Sequence, residues 1–471
     1  MMTIATTNPV NGQVLKTYEA MSDEQVDDAI ERTHLAYRQL RGTTIEQRGR
    51  WLTAAADLLE AERDETARLM TTEMGKTLAA AKAEVTKCAT ACRFYADRAA
   101  GFLADEPADA AAVAATRAFV RYQPIGPVLA VMPWNFPLWQ VLRFAAPALM
   151  AGNTGLLKHA SNVPQTALLL EGLFRRAGFP EGAFTTLLVG SEAVDRILSD
   201  PRVRAATLTG SEVAGRSIAQ IAGRELKKTV LELGGSDPFV VMPSADVELA
   251  AQVAATARCQ NNGQSCIAAK RFIVHNDVYD AFAEAFAHRM AALRLGDPMD
   301  DDTDVGPLAS ERGRNEIDAQ VRDAVDKGAT VLCGGEKPTG AGWFYPPTVV
   351  TDLDPGMRMW SEEVFGPVAG LYRAASYEEA IELANGTAFG LGSNAWTRDP
   401  EEQQRFAADL DAGAVFVNGM TTSYPELPFG GVKNSGYGRE LSAQGMREFC
   451  NIKTVWVGEG TAGVGAGAHS E

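Results

Sequence analysis

The chain predicts an α/β protein built on parallel sheets. Short apolar runs alternate with helical stretches between Val128 and Leu233, the same alternation resumes from Pro238 to about Val417, and the residues ahead of both are helical. Such alternation is the pattern of strands covered by crossover helices.

Taken in order, Ser22 to about Leu103 is rich in Ala, Leu and Glu at helical spacing, with breaks near Arg41-Gly42-Thr43 and Met74-Gly75. These helices are expected to pack on a neighbouring sheet. An Asp/Pro/Ala-rich connector, Asp105 to Ala112, leads into Arg117 to Gln123, where Phe, Val and Tyr mixed with arginines predict a strand pairing outside the main sheets. The strands of the first parallel sheet are expected at Val128 to Met132, Gly155 to Leu157, Thr185 to Val189, Ala205 to Thr209 and Thr229 to Leu233. Asn162, with Gln165 three residues on, has the spacing of a helix N-cap. Gly234-Gly235 is the natural hinge between the two sheet regions, and the Gly/Ala-rich residues 458–471 read as a flexible tail.

At 471 residues the chain is long enough for two or three domains. Its formal charge of -16 disfavours nucleic acid and anionic membrane as partners. No apolar stretch is of membrane-spanning length, and the N-terminus has no basic segment followed by an apolar run, so a cytoplasmic protein is expected. The six cysteines, at 88, 92, 259, 266, 333 and 450, lack paired metal-site spacing, and reduced thiols without a metal are expected. Cys88 and Cys92 read as thiols buried in a helix.

Four segments carry chemistry. Asn261-Asn262-Gly263-Gln264-Ser265-Cys266 is a polar, glycine-containing loop that ends in a thiol. Alone it is outweighed by the ordinary buried cysteine. Glu232, in Leu231-Glu232-Leu233-Gly234-Gly235, puts a carboxylate at the end of an apolar strand, where it acts as a base or pairs with a lysine. Pro133-Trp134-Asn135-Phe136-Pro137 follows the first parallel strand, so the Asn135 amide stands where ligands bind in such folds and is suited to an oxyanion. The turn Leu208-Thr209-Gly210-Ser211 opens a helix whose amides suit phosphate, although its G-x-x-x-x-G spacing is neither the dinucleotide fingerprint nor a nucleotide-triphosphate loop.

Together with Leu157-Lys158-His159-Ala160-Ser161, Glu363-Val364-Phe365-Gly366-Pro367 and Pro428-Phe429-Gly430-Gly431-Val432-Lys433, these segments resemble the aldehyde dehydrogenase superfamily from near the N-terminus to about Trp456. Within it, residues 234–239 and 450–456 are similar to the bacterial, mycobacterial-type NADP-linked succinate-semialdehyde dehydrogenases. The resemblance implies a Rossmann-like cofactor domain from 1–116 and 126–234, an α/β catalytic domain from 235–418, and oligomerisation segments at 117–125 and 419–457. It implies a cytoplasmic homodimer or homotetramer, assembled through Arg117 to Gln123 and Val455-Trp456-Val457. Cys266 is then the nucleophile, Asn135 and the Cys266 amide the oxyanion site, and Glu232 the base that hydrolyses the thioester. Trp134, Asn135, Lys158, Ser161, Gly210, Ser211, Leu233, Glu363 and Phe365 map to cofactor contacts, with Glu363 on a ribose. Where many NAD-preferring members carry glutamate, this chain has Ser161, so NADP is favoured, with NAD as a second acceptor. Arg143 matches an arginine that holds a far carboxylate, and Ser423 a serine of the same pocket. Gln260 replaces a second arginine found in some members.

The rival readings are a coenzyme-A-acylating relative, which Glu232 opposes, and a binding protein of the same fold without turnover, which the intact Cys266, Glu232 and Asn135 oppose. A cysteine hydrolase needs a partnering histidine. His159 lies among cofactor residues, and His34, His275, His288 and His469 are expected on surfaces.

Overall fold

A computed structural model of the chain describes residues 4–459; the tail expected at 458–471 and His469 lie, but for residues 458 and 459, outside the described residues. Its helical N-terminal region runs through Asp23–Leu40, Ile45–Ala61, Arg63–Met74 and Leu78–Phe102, broken at the two places the sequence marks and also at Glu62, which it does not. Ahead of them, Ile4–Asn8 and Gln13–Tyr18 form an antiparallel hairpin.

The first sheet has six strands in the order Gly436–Tyr437, Lys228–Glu232, Ala205–Thr209, Pro127–Met132, Thr154–His159 and Phe184–Thr186. All neighbours are parallel except the first pair. Val128, Leu129 and Ala130 are wholly buried, as both faces of a covered parallel sheet require. The last strand is shorter than its apolar run, stopping at Thr186.

A seven-stranded sheet follows, ordered Thr330–Cys333, Thr348–Thr351, Val368–Ala374, Arg271–His275, Pro238–Val241, Gly392–Trp396 and Ala414–Val417. Only its first pair is antiparallel. The Gly234-Gly235 connection between the two sheets is buried. A Cβ on Gly235 would lie 2.6 Å from the Cys266 carbonyl oxygen, so glycine here lets two site segments approach. The third sheet, Cys450–Val457 with Arg117–Pro124 and Glu106–Pro107, stands apart from both.

One local expectation is overturned. Helix Pro164–Arg176 starts from Val163 without a side-chain cap of its own, so Asn162 is not its N-cap. The buried Glu73 carboxylate, from helix Arg63–Met74, accepts instead from the amides of Gln165 (2.9 Å) and Thr166 (3.0 Å). A buried carboxylate that accepts from two amides at the positive end of the helix takes the place of a local side-chain cap. Helix Trp139–Ala151 is served in the same way: Glu84 Oε1 accepts from the amides of Leu138 (2.9 Å) and Trp139 (2.8 Å) while its carboxylate pairs with the buried Lys76.

Candidate active site

The loop that ends in Cys266 turns through three consecutive left-handed residues, Asn261 (φ 53°), Asn262 (φ 57°) and Gly263 (φ 72°). Asparagine tolerates this conformation because its short amide bonds locally. Asn261 Nδ2 donates to the carbonyls of Asn135 (2.7 Å) and Gln264 (3.1 Å), and Asn262 Nδ2 to those of Gly75 (2.8 Å) and Pro307 (3.0 Å). Gln264 Oε1 accepts from the Ala309 amide at 3.0 Å. Gly263 is required twice over, since a Cβ would sit 2.3 Å from the Gly366 carbonyl carbon. The polar residues that read only as a loop therefore fasten the thiol to both sheet regions. The Asn-Asn-Gly run was the available signal.

Cys266 lies where two cavities meet. One, of about 250 Å³, opens at the carboxyl ends of the first sheet's strands and is lined by Trp134, Asn135, Gly210, Ser211, Leu233, Glu363 and Phe365 among others. The structure thus brings together with Cys266 seven of the residues expected at the cofactor. Trp134 and Phe365 meet edge to face, 5.9 Å apart. Ser211 caps helix Glu212–Arg224, and the Gly210 amide donates to the Glu232 carbonyl at 3.0 Å, so not every amide of this turn is free for phosphate. Glu363 accepts from the Gly235 amide at 3.1 Å and pairs with Lys270 at 3.3 Å. Lys270, missed in the sequence, also donates to the carbonyls of Ser265 (2.9 Å) and Cys266 (2.6 Å), so it fixes the backbone at Cys266.

Lys158 and Ser161 lie at the carboxyl end of the adjoining strand Thr154–His159, outside that lining. Lys158 is buried and, among the described residues, makes no ion pair or side-chain hydrogen bond. Burial holds its ammonium below the usual lysine range, with Glu192 opposing. A buried lysine without an ion pair among the described residues, three positions before Ser161, fits a phosphate. His159 receives the Ala160 amide on Nδ1 (3.0 Å) and faces the Pro137 carbonyl through Nε2 (2.9 Å). Burial pushes its pKa down to about 4, so it stands neutral as part of the scaffold.

The second cavity, of about 220 Å³, is lined by Lys87, Phe136, Trp139, Arg143, Gln260, Ser423 and other residues, together with Cys266. All three residues expected at the substrate are here. Arg143, however, is already engaged: its guanidinium forms a buried ion pair with Glu440, reaches Thr209 Oγ1 at 3.3 Å and covers the Phe429 ring at 4.7 Å. Glu440 was not singled out in the sequence, where it follows a glycine-rich stretch and gives no sign of its partner.

Glu232 is buried, and neither carboxylate oxygen has a hydrogen-bond partner among the described residues. The space it occupies depends on Gly430, whose Cβ would fall 2.7 Å from Glu232 Oε1. Burial and the neighbouring Glu440 carboxylate raise its pKa well above the carboxylate range, against the pull of Arg143 and Arg439. Burial also pushes the Cys266 thiol up to about 12, with Arg143 and Lys270 pulling it down. Asn135 Nδ2 donates one N–H to the Gln264 carbonyl at 3.0 Å, which leaves its second, and the Cys266 amide has no acceptor among the described residues. Cys259 is buried with its thiol 3.6 Å from Met290 Sδ in the core of the second sheet. Cys266 packs against the core of the first sheet.

The sequence profile of the aldehyde dehydrogenase family matches residues 2–455. An NADP(+)-dependent succinate-semialdehyde dehydrogenase of Mycobacterium tuberculosis is 66% identical over 456 residues, 97% of this chain and 100% of the relative. Its namesake from Mycolicibacterium paratuberculosis is 65% identical over 472 residues, covering 100% of both chains. Among solved structures, a succinic semialdehyde dehydrogenase of Streptococcus pyogenes in complex with NADP+ superposes with a TM-score of 0.94 at 39% identity, covering 97% of this chain and 100% of that one.

Proposed function

Since this chain belongs to the aldehyde dehydrogenase family, we propose that it oxidises succinate semialdehyde to succinate with NADP+, and more slowly with NAD+, through a thioester on Cys266. The observation that carries this reading is the placement of one thiol at the junction of two cavities, one lined by Trp134, Gly210, Ser211, Leu233, Glu363 and Phe365, the other by cationic and hydroxyl side chains. The named activities of the relatives point to the same substrate and cofactor.

Residues 1–116 and 126–234 serve as the dinucleotide-binding unit, 235–418 as the catalytic unit, and 117–125 with 419–457 as the assembly segments. Trp134, Asn135, Gly210, Ser211, Leu233, Glu363 and Phe365 hold the nicotinamide half of the cofactor, and Lys158 with Ser161 the phosphorylated ribose. When bound, the cofactor supplies a hydride acceptor. Cys266 gives up its thiol proton to solvent as Sγ bonds to the aldehyde carbon, and the C=O π pair moves onto the oxygen, which the free N–H of Asn135 and the Cys266 amide hold as it gains charge. After the carbon is oxidised, Glu232 takes a proton from the water that releases the acid from sulfur. Arg143, Gln260 and Ser423 shape the chamber for the rest of the substrate. The chain is expected to act as a homodimer or homotetramer.

Reduction of NADP+ and of NAD+ is to be followed with succinate semialdehyde, propanal and benzaldehyde, with and without coenzyme A. The expected result is the highest kcat/KM with succinate semialdehyde and NADP+, independent of coenzyme A. A rate that requires coenzyme A, or a preference for benzaldehyde, overturns the reading.

A further inference from the structure

The second cavity holds more positive charge than its own acids neutralise. Around it stand Lys76, Lys87 and Arg143, against Glu84 and Glu440. Glu84 is paired with Lys76 and Glu440 with Arg143, both buried. Glu232 is absent from the lining of this cavity, and burial with the neighbouring Glu440 raises its pKa. Lys87 is therefore the unmatched cation: it makes no ion pair among the described residues. Its Nζ donates to Ser423 Oγ at 2.8 Å and lies 4.3 Å from the centre of the Trp139 ring.

Ser423 Oγ accepts a second hydrogen bond, from Trp139 Nε1 at 3.0 Å. With both lone pairs occupied, the hydroxyl proton is left to donate, and no protein acceptor takes it among the described residues. An ammonium with unused N–H bonds and a hydroxyl with an unused O–H thus stand side by side on the wall of a cavity that also contains the reactive thiol. Two convergent donors and one uncompensated charge suit a carboxylate.

We propose that Lys87 and Ser423 together receive the far carboxylate of the substrate, and that Arg143, neutralised by Glu440, supplies cavity wall and not the counter-charge. This rests on the reading of the substrate as an aldehyde with a distal carboxylate, and it adds Lys87 as the residue that selects for it.

Lys87 is half-buried on helix Leu78–Phe102. The groups facing it are Arg143 with its Glu440 from across the cavity, and Glu84 and the buried, neutral Cys88 thiol from its own helix. Burial, then Arg143, pulls its pKa down to about 8, so the charge that recruits the carboxylate is lost in mildly alkaline solution.

The test compares succinate semialdehyde with butanal, which has the same carbon count and no carboxylate. In Lys87→Met the ratio of kcat/KM for succinate semialdehyde over butanal should fall about tenfold or more, mainly through KM, and Lys87→Arg should restore most of it. A ratio within about twofold of the unsubstituted enzyme in Lys87→Met overturns the proposal while leaving the functional reading intact. An unsubstituted enzyme that does not prefer succinate semialdehyde over butanal overturns both. Should Lys87→Met fail to fold, the unsubstituted enzyme decides: its KM for succinate semialdehyde should rise from about pH 7 to about pH 9 while that for butanal stays level. A level KM for both sinks the proposal.

Discussion

Glu232 sits where a carboxylate is costly, buried with both oxygens unpartnered. In the unfolded chain it ionises near its ordinary value of 4.5, whereas in the folded protein it keeps its proton to higher pH. The folded state then binds more protons than the unfolded, so this group's contribution to stability falls as pH rises between the two values. Glu232→Gln should remove that slope and raise the Tm at about pH 8, while lowering steady turnover roughly 10²- to 10⁴-fold with the first burst of reduced cofactor retained. Loss of the burst would assign Glu232 to activating the thiol. Cys266→Ala should abolish turnover and leave dinucleotide affinity, measured by calorimetry, unchanged. Ser161→Glu places a negative charge against a 2′-phosphate beside Lys158. At ~4 Å this is worth roughly 1–4 kcal/mol, so the kcat/KM preference for NADP over NAD should drop about tenfold or more, and less at high salt. An unchanged ratio refutes phosphate reading by this loop. Cys266 and Asn135, which line one cavity, and the buried Glu232 were singled out in the sequence by motifs that carried weight only in combination. Lys87, Lys270 and Glu440 were not, since their significance comes from what faces them across hundreds of residues.

At the scale of elements, most strands and helices followed apolar periodicity, and besides the shortened strand Phe184–Thr186 and the unread hairpin of Ile4–Asn8 and Gln13–Tyr18 the failures were at helix starts. The helices at Trp139–Ala151 and Pro164–Arg176 have no cap in their own sequence; each borrows a buried glutamate from an earlier helix. No local pattern announces a cap 54 or 92 residues away. Removing one has a distinct cost. Glu84→Ala would strip the Leu138 and Trp139 amides of their acceptor and leave the fully buried Lys76 unpaired, which should destabilise the protein by about 3–5 kcal/mol in denaturant unfolding. Asn162→Ala, the cap the sequence suggested, should change stability by less than about 0.5 kcal/mol. Equal effects of the two substitutions would refute this account.

Over the whole molecule, the two parallel sheets followed from the α/β alternation, while the separate third sheet was foreshadowed by Arg117 to Gln123 and Val455-Trp456-Val457. In that sheet Cys450–Val457 is an eight-residue edge strand, and Ile452 and Trp456 are 63% and 55% exposed along it. Long apolar edges are seldom left open to solvent. The protein should therefore run in light scattering at a multiple of its 50.3 kDa chain mass. The double substitution Ile452→Asp and Trp456→Asp should lower that mass, and a monomer at micromolar concentration before substitution refutes the role given to this edge.

The meeting of two cavities at Cys266 has a consequence for chemical labelling. An alkylating reagent has two doors to the same sulfur, and each ligand closes only one. Succinate alone or NADP+ alone should leave iodoacetamide a route to the thiol, whereas the two together should shut both and slow its inactivation more than the sum of their separate effects. The order in which the ligands are added should make no difference to the protection reached, because neither has to pass through the other's chamber.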